Sequence, residues 1–73
     1  MRDPARIQEF CNRLARAWEN LPDWRFGQLM ANIFKDMEVE GEDPFFPEED
    51  KMIEIIENYT HKMGIYYGTI KRE

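Results

Sequence analysis

Serine is absent from this 73-residue chain, cysteine and histidine occur once each, and threonine occurs only at positions 60 and 69. The nucleophile–base pairings of hydrolases and transferases therefore have almost nothing to draw on. A single cysteine, Cys11, excludes an internal disulfide and leaves no set of thiolates for a zinc site. The glycines at 27, 41, 64 and 68 lack the spacing of a phosphate-cradling loop. No apolar run approaches the roughly 18 residues needed to cross a bilayer. Glu48, Glu49 and Asp50 could hold a divalent cation weakly with Asp43, but the D-x-D-x-D-G order of a calcium loop is missing. We expect no cofactor, no metal and no membrane insertion, and enzyme is the least supported class.

What is present is charge, unevenly placed. Residues 1–35 hold six basic and four acidic side chains, residues 36–57 hold one and ten, and residues 58–73 hold three and one. The middle segment thus carries -9 against a net charge of -5 for the whole chain. An acidic protein is repelled by nucleic acid and by anionic lipid, so direct binding to either is not expected. The unpaired cysteine, and an opening in which Arg2, Arg6, Arg13 and Arg16 interrupt the apolar positions, point to a reducing, cytoplasmic setting.

Apolar periodicity predicts one all-α domain over residues 1–73, built from three helices at about 4–20, 24–36 and 47–63. Asp3-Pro4 reads as the first helix start, and Ile7, Phe10, Cys11, Leu14, Ala17, Trp18 and Leu21 form its apolar stripe. Cys11, on that stripe, is expected to be a small buried hydrophobe. Pro22 closes the first helix and Asp23 offers an N-cap to the second, whose stripe is Phe26, Leu29, Met30, Ile33, Phe34 and Met37. Gly27 suggests the close approach of another helix. Pro47 with Glu48, Glu49 and Asp50 suits the positive end of a third helix, carrying Met52, Ile53, Ile56, Tyr59 and Met63. Beyond it, either Gly64 caps the helix and residues 64–73 extend as a tail, or the helix continues through Tyr66 or Tyr67 towards Ile70. His61 reads as surface decoration near the helix end.

The stretch Pro22-Asp23-Trp24-Arg25-Phe26-Gly27-Gln28-Leu29, then Asn32, then Asp43-Pro44-Phe45-Phe46 with Glu49-Asp50 resembles a family of small uncharacterised bacterial and phage-borne proteins. That family carries P-D-x-R-x-G-Q-L, a nearby asparagine and D-P-F-[FY] before an acidic helix start. The resemblance covers roughly residues 2–60. It implies a family fold and a bacterial or phage setting, and it brings no activity, cofactor or substrate.

With chemistry so poorly provided for, contact surfaces are the candidates. Arg25, Gln28 and Asn32 share one side of the second helix. They either hold down the 38–46 loop, with Arg25 paired to Asp43, or face a partner. Of Phe45 and Phe46, one is expected to be buried and the other partly exposed. Trp24, Tyr66 and Tyr67 complete the candidate partner-binding set, because tryptophan is over-represented among binding hot spots. A domain of this size buries only about 60% of its unfolded surface, and its bulky apolar residues exceed what one small core can shield, so a homodimer would cover the surplus. The expected function is a non-enzymatic protein-interaction module. The alternative is a phage-type inhibitor whose acidic face imitates nucleic acid.

Overall fold

The computed structural model describes residues 2–71, and among them it contains three α-helices and no strand: α1 (Ala5–Trp18), α2 (Phe26–Val39) and α3 (Glu49–Tyr66). The all-α, three-helix architecture is therefore the one found. No helix among the described residues is long and apolar enough to cross a membrane. Residues 72 and 73, the end of the expected tail, lie outside the described range.

The first and third helices start where short-range chemistry favours it. Asp3 Oδ1 accepts from the Ala5 N–H at 2.9 Å, supplying an acceptor to a backbone group that has no intrahelical partner. Glu49 and Asp50 occupy the first turn of α3, where the helix dipole favours negative charge. Asp23 does not cap α2. The residue before that helix is Arg25, in extended conformation and without a side-chain cap bond. Asp23 instead lies exposed in a link whose turns are closed by backbone bonds, Leu21 N–H to Trp18 O at 2.8 Å and Trp24 N–H to Leu21 O at 3.1 Å.

The dominant packing is between α1 and α3, with α2 touching α3 over a shorter stretch. Arg6 Nη1 meets Glu49 Oε1 at 2.7 Å. Arg13 grips Glu57 with two bonds, Nε to Oε2 at 2.8 Å and Nη2 to Oε1 at 2.6 Å. Farther on, Asn20 approaches Gly64. Positions 6, 13 and 20 are one heptad apart and meet 49, 57 and 64 in the same order, so α1 and α3 run parallel. The hydrogen bond and charge of Arg13 hold the Glu57 carboxyl below its ordinary pKa.

The core is one cluster of Ala17, Leu21, Leu29, Ile33, Met37, Ile53 and Ile56. On α3 the fully buried line is Ile53, Ile56, Thr60 and Gly64, with Met52, Tyr59 and Met63 half-buried beside it. Thr60 is tolerated there because its hydroxyl donates to the Ile56 carbonyl at 2.9 Å. The face of α1 turned to α3 is centred on Phe10, Leu14 and Ala17 and flanked by Arg6 and Arg13. Cys11 sits about 100° around the helix from Phe10 and is exposed, which corrects the expectation of a buried thiol. Ile7, on the same outer half of the stripe, is 51% exposed. Gly27 also departs from expectation, with no atom within 4 Å of where a side chain would begin.

Both later helices end on a glycine in the left-handed region. Gly41 (φ 83°) follows α2, where Gly41 N–H bonds to Glu38 O at 3.0 Å and Glu42 N–H to Met37 O at 2.9 Å, the two bonds of a Schellman closure. Helix α2 therefore runs three residues past its expected end. At α3 the capping glycine is Gly68 (φ 85°), and Gly64 lies buried inside the helix. The chain then reverses: Ile70 N–H bonds to Gly64 O at 3.0 Å, and the Ile70 side chain covers Gly64. The extended tail from Gly64 is not found; the helix does continue past Gly64, as the alternative had it, but stops at Tyr66, short of Ile70. The outcome is a helix to Tyr66 and a hook.

Candidate interaction surface

Phe45 and Phe46 sit in the α2–α3 connection, and both point outward. Their exposures are 84% and 73%, and their rings meet edge to face with centroids 5.1 Å apart. The expectation that one would plug the core is overturned. The loop backbone is closed locally: Asp43 Oδ1 accepts from Phe45 N–H at 2.9 Å and the Asp43 carbonyl from Phe46 N–H at 3.3 Å. Pro44 and Pro47 are the half-buried members of the segment, and Met37 and Ile53 in the nearby core are already buried. Neither ring is needed to close the fold.

Arg25, Gln28 and Asn32 are all exposed along α2 and do not hold the loop. Asn32 Nδ2 donates to the Gln28 carbonyl at 2.8 Å within the same helix. Among the described residues Arg25 forms no ion pair with Asp43 or any other acid. The loop-anchoring reading of these three residues is thereby corrected, because the turn bonds already satisfy the loop without side chains from α2.

Trp24, Tyr66 and Tyr67 come together at the other end of α3. Trp24 is half-buried, with its carbonyl accepting from Trp18 Nε1 at 2.8 Å. Its ring stands edge-on to Tyr59 (6.5 Å) and Tyr67 (6.0 Å), and Tyr67 in turn meets Tyr66 at 4.9 Å. Burial, with the Asp36 carboxylate and Tyr67 nearby, raises the pKa of the Tyr59 phenol. The candidate residues thus fall into two aromatic groups at opposite ends of α3, with the α2 trio part of neither. Tyr59 was read from the sequence only as a core residue. The hint that Trp24 and Tyr67 would meet was that each adjoins a helix end.

The acidic segment is partly neutralised from within. Glu48, Glu49 and Glu57 pair with Arg2, Arg6 and Arg13, drawing the α3 acids towards α1. Asp36, Glu38, Glu40, Glu42 and Asp43 remain exposed along the end of α2 and the turn after it. Among the described residues no group of three His, Cys, Asp or Glu side chains is placed to hold a metal ion. His61 is exposed. A groove of about 110 Å³ between α1 and α3, lined by Arg6, Phe10, Arg13, Glu49 and Ile53 among others, has room for only a few waters. Comparison of the chain with protein-family models, with curated proteins and with solved structures finds no match.

Proposed function

We propose that this chain is a non-enzymatic interaction module that binds a protein partner through outward-facing aromatic side chains, with Phe45 and Phe46 as the anchor. The observation that carries the reading is the near-complete exposure of two adjacent phenylalanines on a loop whose backbone is tied by its own hydrogen bonds. Large apolar side chains held in water by an ordered backbone lose little conformational freedom when a partner covers them. Aromatic residues are also enriched in the buried centres of interfaces. Ile7 on α1 and Phe26 at the start of α2, each about half exposed, are further apolar side chains that a second copy could cover.

The test is quantitative capture by the tagged chain from a lysate of its source organism, compared with the double variant Phe45→Ala/Phe46→Ala. A partner that the parent retains and the folded variant loses supports the reading. An identical captured set from both sinks it. Light scattering at increasing concentration reports self-association separately.

A second reading, in which the protein imitates nucleic acid, is favoured by the five exposed acids between Asp36 and Asp43. It is weakened by the arginines that hold Glu48, Glu49 and Glu57. Salt separates the two: mimicry fails steeply as ionic strength rises, whereas aromatic anchoring barely changes.

A further inference from the structure

The link between α1 and α2 and the turn after α3 enclose a cleft of about 240 Å³ lined by Leu21, Pro22, Asp23, Trp24, Tyr67 and Thr69. Trp24 and Tyr67, whose ring centroids lie 6.0 Å apart at an interplanar angle of 68°, are both among its lining residues. At its edge stands the exposed Asp23 carboxylate, which has no ion-pair partner among the described residues. We propose that this cleft is a binding site for a cationic side chain, a lysine or arginine, carried by a partner protein. The inference rests on the interaction-module reading only in assigning the ligand to a protein; its chemistry is independent of Phe45 and Phe46.

Three features select that ligand. An ammonium or guanidinium group is attracted to the faces of tryptophan and tyrosine, and more strongly where water is partly excluded. The same aromatic cluster already shows the preference, since Lys62 Nζ lies 5.9 Å from the centroid of Tyr59, the ring against which Trp24 packs. A carboxylate beside the aromatic residues adds charge complementarity, and the chain as a whole is at -5. Size then narrows the choice, because the cleft falls short of the roughly 300–1,000 Å³ typical of small-molecule pockets and suits the head of one side chain.

The backbone beneath both aromatic residues is tied before any ligand arrives. Trp24 is held through both backbone groups, N–H to Leu21 O at 3.1 Å and carbonyl from Trp18 Nε1 at 2.8 Å. Tyr67 is fixed by its N–H to Met63 O at 2.8 Å, and the hook that follows positions Thr69. Binding therefore requires little reorganisation of the backbone.

Titration of the full chain with N-acetyl-lysine amide and N-acetyl-arginine amide, followed by NMR shifts of the Trp24 indole N–H and the Thr69 amide, tests the site. We expect saturable shifts centred on those two groups, and half-saturation by the uncharged N-acetyl-norleucine amide at about tenfold higher concentration or more. Asp23→Asn, at an exposed position, should weaken the cationic ligands several-fold while leaving the spectrum of the free protein otherwise intact. Lys62→Ala, outside the cleft lining, should titrate as the parent does. Equal response to norleucine, shifts spread over the whole surface, no shift at all, or indifference to Asp23→Asn would each overturn the proposal. Phe45→Ala/Phe46→Ala must titrate normally, so failure at the cleft and failure of the phenylalanine anchor read out separately.

Discussion

The two ends of α3 each leave two adjacent aromatic residues exposed, Phe45 and Phe46 at one and Tyr66 and Tyr67 at the other, and they differ in what the backbone turn adds beneath them. At the start, Phe45 and Phe46 stand in solvent above a loop closed by Asp43 and Gly41. At the finish, Trp24, Tyr59 and Tyr67 lean on one another, and Ile70 folds back over Gly64. The difference lies in what each backbone turn delivers. Both turns complete their bonds locally, but the Gly41 turn leaves Phe45 and Phe46 out of the packing, whereas the Gly68 turn folds Ile70 back over Gly64. Both turns leave aromatic surface exposed, and the Gly68 turn in addition lays an apolar side chain over the helix.

The sharpest way to break this contrast is at Gly64. A methyl group there would stand 2.8 Å from Ile70 Cδ1 and 3.3 Å from Asn20 Cβ. Gly64→Leu should therefore cost about 1–3 kcal/mol by overpacking, read as a lowered midpoint in urea. Next come the two turn glycines. Alanine at either must adopt the left-handed region at about 1–2 kcal/mol, but Gly68→Ala should exceed Gly41→Ala because it also unseats Ile70. Equal losses in thermal denaturation would show that the hook contributes nothing.

The seam between α1 and α3 gives a smaller, pH-dependent effect. Arg13 depresses the folded-state pKa of Glu57, so the unfolded chain takes up that proton first as pH falls. The stabilisation is present above the ordinary glutamate value of about 4.3 and is lost as pH drops through the lower folded value. Glu57→Gln should be less stable than the parent near neutrality and indistinguishable from it in strong acid. The smallest change is expected from Phe45→Ala/Phe46→Ala, within about 0.5 kcal/mol of the parent, since neither ring closes the core. A large loss of stability there would turn the proposed anchor into a structural element.

Three amphipathic helices were legible in the sequence because apolar spacing is a local property, and the helix order and approximate positions follow from it. Which half of a wide stripe would be buried was not. Ile7 and Cys11 share the α1 stripe with Phe10 and Leu14, and only the pairing of Arg6 and Arg13 with acids some 43 and 44 residues away settles the rotation. Gly64 misled for a related reason. A glycine near a helix end serves equally as a cap or as a point of close packing, and the choice depended on Asn20 and Ile70. Of the candidate contact residues, Trp24, Tyr66 and Tyr67 converge on one cluster, which spacing along the chain could not reveal. The exposure of both phenylalanines was hidden because the turn bonds that make them dispensable involve backbone atoms.

The parallel seam also orders events during synthesis. Helix α1 leaves the ribosome first, yet the glutamates that receive Arg6 and Arg13 lie at 49 and 57, more than half the chain later. Until those residues emerge, Phe10, Leu14 and Ala17 have no α3 to cover them. The first helix therefore stays undocked from α3 until Glu49 and Glu57 have been made, and only then can the two outer helices meet.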